Sequence, residues 1–292
     1  MSPTPARHCS VLPFLPRSMP RLVRGVTPGF CFGLLLSALA FQSSSALAAD
    51  LPASPPAPAP YEAEYEARAM GMRTDAYRRL ERIGDNEFRL SHGLSVSVLG
   101  ANMITVEEKS QFSWDEEGAV PLVYSYKQTG VRRRDERVNF DWTPANADQP
   151  NAHMIRDGRE QNQAINKATL DNLSFSAQIS ADLMNKPQLR AADTMLSYEI
   201  LDARRLETHE YRVLGAERIS TPAGELDTIK LERIRDSDSG RTTLIWLAAD
   251  QQFTLAKLSQ TEGGGSAMEL NLKRITWTGD ASGSETADAT AD

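Results

Sequence analysis

The chain has 292 residues and a net charge of −7, an acidic balance that excludes nucleic acid and anionic lipid surfaces as general partners. Its two cysteines cannot make a disulfide-stapled scaffold, but 40% hydrophobic residues at this length can bury a core without staples. The apolar run Gly29–Phe41 falls short of the roughly 20 residues that a bilayer-spanning helix needs.

In chain order, Arg17, Arg21 and Arg24 precede that apolar run, and Ala46-Leu47-Ala48 supplies small residues behind it. This order predicts that residues 1–48 are a secretory signal peptide and that the mature chain works in the periplasm. The leader has no adjacent arginine pair, which argues for export of an unfolded chain. Cys9 and Cys31 both fall in the leader, so the mature protein is expected to carry no thiol and no transmembrane segment. Four arginines leave with it, so 28 Lys and Arg remain against 39 Asp and Glu, a net charge of −11. Residues 49–60, with LPASPPAPAP from Leu51 onward, read as an extended proline-alanine linker. Residues 61–278 read as one domain, and residues 279–292 as a disordered acidic tail.

Most of the domain alternates with period two, the strand signature. Tyr61, Ala63, Tyr65, Ala67 and Ala69 face one way, while Glu62, Glu64, Glu66 and Arg68 face the other. Gly71 and Gly84-Asp85-Asn86 punctuate the next two strands, and Asp115-Glu116-Glu117-Gly118 marks another turn. Leu122, Tyr124 and Tyr126 share a face, as do Val138, Phe140 and Trp142. Over Asp171–Lys186 the period changes: Leu173, Ala177, Ala181 and Met184 fall on one helical face, with Asp171 as N-cap and Pro187 as stop. Strands resume from Thr194 to Trp277, with hairpin turns at Asp236–Gly240 and Gly263–Gly265. The expected fold is mainly β. About a dozen antiparallel strands form a large curled sheet, a half-barrel or open barrel, with one helix inserted after the seventh strand and packed in the concave side.

Three segments then resemble a known family: YEAEYEARAMGMRTDAYRRLE from Tyr61, DNLSFSAQISADLM from Asp171, and TPAGELDTIKLERIRDSDSGRTTLIWLAAD from Thr221. Together they are similar to the domain of unknown function 3108 family over nearly all of Tyr61–Trp277. The resemblance implies an exported bacterial protein with an architecture like that of curled β-sheet envelope proteins, lipoprotein carriers among them. It implies no catalytic residues.

The residues themselves point the same way. His92, His153 and His209 lie in separate segments with no second ligand at metal spacing, so no metal site and no cofactor are expected. No serine sits in a nucleophile elbow, and no glycine-rich loop precedes a helix. Glu107 and Glu108 must face opposite sides of a strand and cannot act jointly. The Arg132-Arg133-Arg134 run, followed by Asp135-Glu136, reads as a solvated strand edge. Thus no catalytic residue is named and the chain is not expected to be an enzyme. The candidate ligand-lining residues are Tyr61, Tyr65, Tyr124, Tyr126, Phe140, Trp142, Leu173, Ala177, Met184, Trp246 and Trp277. They would face either a filled core or a pocket for a hydrophobic small molecule or lipid. The alternatives are an envelope scaffold that binds a partner protein through a sheet edge and, with less support, an enzyme acting on envelope substrates.

Overall fold

Alternation of small or aromatic residues with charged ones makes the first strand, β1 (Tyr61–Ala69), a two-faced ribbon: Tyr61, Ala63, Tyr65 and Ala67 are buried, and Glu62, Glu64 and Arg68 are exposed. The computed structural model describes residues 55–278 except 70, 99, 100, 131, 132, 144–148, 236–239 and 264. The leader at 1–48, the linker residues 49–54, the turn at 236–239 and the tail at 279–292 lie outside the described residues.

Behind β1 a meander of antiparallel hairpins runs through β2 (Met72–Arg82), β3 (Glu87–Val98), β4 (Ala101–Trp114), β5 (Ala119–Gly130), β6 (Arg134–Asp141), β7 (Asn151–Arg156) and β8 (Arg159–Ala164). A two-residue strand, β9 (Thr169–Leu170), leads into α1 (Ser174–Asn185). A second meander follows: β10 (Met195–Leu201), β11 (Leu206–Thr221), β12 (Gly224–Ile234), β13 (Arg241–Ala248), β14 (Thr254–Glu262) and β15 (Gly265–Trp277). The last strand pairs antiparallel with the first, Tyr61 opposite Trp277 and Ala67 opposite Leu270. All the strands therefore join one sheet, with β8 at one edge and β9, parallel to β10, at the other.

The sheet curls until its far ends meet. Val138, Phe140, Ala152 and Met154 from β6 and β7 share a buried cluster with Leu201 and Ala203 at the end of β10. The curled fold with a helix inside agrees with expectation, but the described residues form fifteen strands and the helix follows the ninth. β8 (REQNQA) has no large apolar side chain to reveal a period, and β9 is too short to show one. The arginine run also reads differently in space. Arg134 opens β6, an interior strand, and its guanidinium lies over the Tyr126 ring and 3.5 Å from Glu136. It is no solvated edge. Arg132 lies outside the described residues.

The helix is shorter than its sequence period suggests. Leu173 occupies the cap position and makes no side-chain cap bond. Asp171 does the work from two residues further back: its Oδ1 accepts from the backbone N–H groups of Leu173 and Ser174, both at 2.8 Å. Its Oδ2 accepts from Ser110 Oγ on β4 at 2.6 Å, which ties the helix start to the sheet. Ile179, Ala181 and Leu183 then bury the helix against the concave face, each large apolar side chain contributing about 1.5–3 kcal/mol. Gln178 fixes the outer flank, its Oε1 accepting from Ala119 N–H at 2.9 Å beside the β4–β5 turn. Gly118 closes that turn at φ +122°, where a Cβ would stand 2.0 Å from Gln178 Oε1. At the C-terminal end Arg190 donates to the carbonyls of Leu183 (2.7 Å) and Met184 (3.0 Å), with its guanidinium over the Phe253 ring.

Asp171 is fully buried, so its loss strands two N–H donors and the Ser110 hydroxyl. Asp171→Ala is expected to lower unfolding stability by about 2–4 kcal/mol, and Asp171→Asn by less, since the amide oxygen still accepts. Urea unfolding of the three proteins measures this, and a cost for Asp171→Ala under about 0.5 kcal/mol would contradict the anchoring role.

Candidate functional site

Between α1 and the concave face lies a cavity of about 330 Å³, partly open to solvent. Its walls come from both meanders: Leu80 and Leu90 on one side, Leu231, Ile245, Leu247, Leu255, Leu258 and Leu270 on the other. The helix contributes Leu173, Phe175, Ala177, Ile179 and Met184, with Ser176 and Ser180 between them. Small side chains at Ser176, Ala177 and Ser180 leave space where longer ones would fill the interior. Pro58 and Ala59, at the end of the proline-alanine stretch, also reach the wall, where Tyr61 and Trp277 meet edge to face at 5.6 Å. That stretch is held by Trp114 Nε1 donating to the Pro55 carbonyl at 2.9 Å and by Thr278 N–H donating to the Pro60 carbonyl at 2.9 Å.

The wall is not uniformly apolar. Arg78, His92 and Glu108 stand directly opposite one another on β2, β3 and β4. The row continues through Tyr126, Glu136 and Arg156 on β5, β6 and β7. A band of polar side chains thus crosses the inside of the curl, flanked on one side by Leu80, Leu90 and Tyr124. At its far end Glu136 is nearly inaccessible; burial pulls its carboxyl upward, while Arg134, Arg156 and Arg204, at 3.5, 3.1 and 3.9 Å, oppose that shift.

The cavity end is arranged otherwise. Arg78 Nε donates to the Tyr61 hydroxyl at 3.0 Å, and its Nη2 donates to Ser176 Oγ. No Asp or Glu oxygen among the described residues lies within ion-pair distance, 4.0 Å, of that guanidinium. The His92 imidazole is pushed down to about 4 by burial and by the adjacent Arg78 charge, so it is neutral near pH 7. Glu108 accepts from the Tyr124 hydroxyl at 2.6 Å, and Asn172 Nδ2 donates to that hydroxyl at 3.2 Å. Burial pushes the Glu108 carboxyl up to about 7, the Asp171 charge adds to the rise, and the Tyr124 hydroxyl and Arg78 oppose it. All three side chains retain some exposure although they sit deep in the fold, because the solvent that reaches them is in the cavity itself.

Of the residues named from sequence, Tyr61, Leu173, Ala177, Met184 and Trp277 line this cavity. Tyr65 and Tyr124 face inward but are packed, 1% exposed each; Tyr65 donates to the Leu255 carbonyl at 2.9 Å. Tyr126, Phe140 and Trp142 belong to the cluster at the joined sheet ends, where Phe140 and Trp142 stack at 6.1 Å. Trp142 also borders a wider groove of about 620 Å³ on the other flank of α1, whose wall carries Asp115, Glu117, Lys167, Asp182 and Lys186 and therefore suits water better than an oily ligand. Trp246 points the other way. Its neighbours Ile245 and Leu247 face the cavity, so alternation turns the indole to the convex face, between the ammonium groups of Lys230 and Lys257 and with Nε1 donating to Glu217 at 3.1 Å. The interior position expected for Trp246 is thus corrected, because hydrophobicity alone does not say which face of a strand an aromatic residue occupies.

Arg78 is not singled out by the sequence reading, and His92 and Glu108 enter it only as a lone histidine and as half of a carboxylate pair, not as one wall. A signal existed: Arg78 and His92 each interrupt an inward-facing apolar series, Ala76-Arg78-Leu80 and Leu90-His92-Leu94, and Glu108 follows Val106 on the same face of β4. Among the described residues no three His, Cys, Asp or Glu side chains converge as metal ligands.

Glu108 yields a pH signature. The folded protein holds its proton up to about pH 7, whereas the unfolded chain releases it near the ordinary carboxylate value of about 4.3. The folded state binds more protons between these limits, so this contribution to stability is complete below the lower one and lost as pH rises through the upper. Glu108→Gln keeps an acceptor for Tyr124 and carries no charge. It is expected to match the parent near pH 4.5 and to exceed it by about 1–3 kcal/mol at pH 8, after allowance for screening by cavity water. Parallel unfolding curves for the two proteins across that range would refute this if they ran at constant separation.

A family model described as a protein of unknown function, DUF3108, matches residues 66–272. No curated protein matches the chain. Among solved structures, a β-barrel-like protein of the domain of unknown function DUF1849 from Brucella abortus is 10% identical, with a TM-score of 0.49 over 75% of this chain and 98% of that one. A presumed exported protein with a YmcC-like fold from Bacteroides fragilis is 10% identical, TM-score 0.33, over 77% of this chain and all of its own. A presumed lipoprotein from Parabacteroides distasonis is 11% identical, TM-score 0.32, over 78% of this chain and all of its own. Among the described residues no helix is long and apolar enough to cross a membrane. With the match running from β1 to β15, the chain belongs to the DUF3108 family.

Proposed function

We propose that the protein is a non-enzymatic periplasmic carrier that takes up a hydrophobic ligand, a lipid or an acylated molecule, between α1 and the concave face of its sheet. The observation that carries this reading is the cavity of about 330 Å³, walled by aliphatic side chains from strands on both sides of the β1–β15 pairing and by one helix face. That volume falls at the small end of the roughly 300–1,000 Å³ typical of ligand pockets. The periplasmic assignment rests on the leader pattern of residues 1–48. The absence of catalysis is inferred from the chemistry of the wall: its hydroxyls at Ser176 and Ser180 donate to backbone carbonyls and not to His92 or Glu108, so no nucleophile is paired with a base. The scaffold reading asks for a filled interior and a free sheet edge. The edge exists at β8, but the open cavity favours the carrier.

The protein isolated from its own periplasm is expected to show, by native mass spectrometry, adducts of lipid mass that disappear on delipidation. The delipidated protein is then expected to enhance the fluorescence of the neutral probe N-phenylnaphthylamine. Ala177→Phe, which pushes a ring into the cavity from the helix, is expected to weaken probe binding by about tenfold with circular dichroism unchanged, a loss of about 1.4 kcal/mol. A bare mass together with no probe enhancement in the parent would end the carrier reading.

A further inference from the structure

We infer that the cavity's ligand is a single-chain fatty carboxylate whose head group pairs with Arg78. This rests on the carrier reading above and adds the head group to it. A guanidinium that an apolar guest would cut off from cavity water is costly unless an anion compensates it. Here the two bonded partners are neutral hydroxyls, those of Tyr61 and Ser176. His92 opposite it supplies no negative charge. Glu108, two strands away with about 10 Å between the backbones, is the nearest opposing charge and the two groups feel each other, but its carboxylate accepts from Tyr124 and makes no ion pair with Arg78. The charge is thus held in place and oriented by hydroxyls, while its counterion is left to come from elsewhere.

The rest of the wall says what brings that counterion. Beyond Arg78 the wall from β12 to β15 is mainly aliphatic, with Leu231, Ile245, Leu258, Met268 and Leu270, and only Thr254 and Gln260 among them are polar. An occupant must therefore be apolar along its length and anionic at one end. The cavity's volume suits one acyl chain and not a two-chain lipid. A carboxylate matches a single guanidinium in bidentate geometry. A phosphate head would call for further cations, and the next ones, Arg134 on β6 and Arg156 on β7, stand four and five strands from Arg78 and are turned to Glu136 at 3.5 and 3.1 Å.

Competition against N-phenylnaphthylamine on the delipidated full chain at pH 7 tests this. Tetradecanoate is expected to displace the probe at a concentration at least tenfold lower than tetradecanol does, the difference expected of a charge-assisted hydrogen-bond pair. Arg78→Gln is expected to abolish that gap by raising the acid's midpoint about tenfold while leaving the alcohol's in place. Tyr61→Phe, which frees the Arg78 Nε, is expected to raise the acid's midpoint by about two- to fivefold, and it decides the matter should circular dichroism show Arg78→Gln unfolded. Equal displacement by acid and alcohol, an unchanged preference in a folded Arg78→Gln, or tetradecyl phosphate outcompeting tetradecanoate would each overturn the head-group assignment and leave the carrier reading standing. Failure of every amphiphile and of the probe itself would remove the carrier reading instead.

Discussion

The interior of this protein depends on one seam, the antiparallel pairing of β1 with β15. Each meander alone is an open series of hairpins whose strands find their partners next door in sequence. Only the seam joins the two into one sheet, and it does so across the whole length of the domain. Closing a loop of that size costs about 5 kcal/mol in chain entropy. Burial of Tyr65, Leu270 and Leu272 beside the seam, at about 1.5–3 kcal/mol for each large side chain, offsets that cost. The cavity straddles the same line, with Tyr61 and Trp277 as its two facing aromatic residues.

Given the seam, the helix has one place to go. A curled sheet with an apolar concave face must cover that face, and α1 is the only α-helix among the described residues. Its entry is fixed by a buried carboxylate bound to two of its own N–H groups and to Ser110 of the sheet, its exit by Arg190. Because both ends are pinned, the small residues in between cannot slide inward to fill the space they leave. A cavity results from fixed ends and short side chains, and its shape is set before any ligand arrives.

The polar band gives that interior a direction. At the joined ends Glu136 gathers three guanidiniums, and Asp157 stands beside one of them, so each cation there faces a carboxylate. At the cavity end Arg78 is steadied by hydroxyls, next to an imidazole that burial keeps neutral and a carboxyl that burial keeps partly protonated. One row of side chains thus runs from an ion-paired cluster to a guanidinium bonded only to hydroxyls. An elongated guest with two unlike ends would meet different chemistry at each.

Most of the architecture could be read along the chain. Period two over Tyr61–Ala69, the change of period after Asp171, the turn residues and the stop at Pro187 all act within a few residues of one another, and local sterics suffice to express them. The same reading placed Tyr61, Leu173, Ala177, Met184 and Trp277 around an interior space. It lost β8 and β9 because neither carries a period, and it put Trp246 on the wrong face because a strand's two faces differ only by what the rest of the sheet brings to them. The Arg78-His92-Glu108 row was decided by tertiary structure alone. Residues fourteen and sixteen positions apart become neighbours only through strand register, a property of hairpins pairing with one another. Whether a polar residue among inward-facing apolar ones is a flaw in the core or the wall of a site depends on the empty volume beside it, which no stretch of sequence specifies.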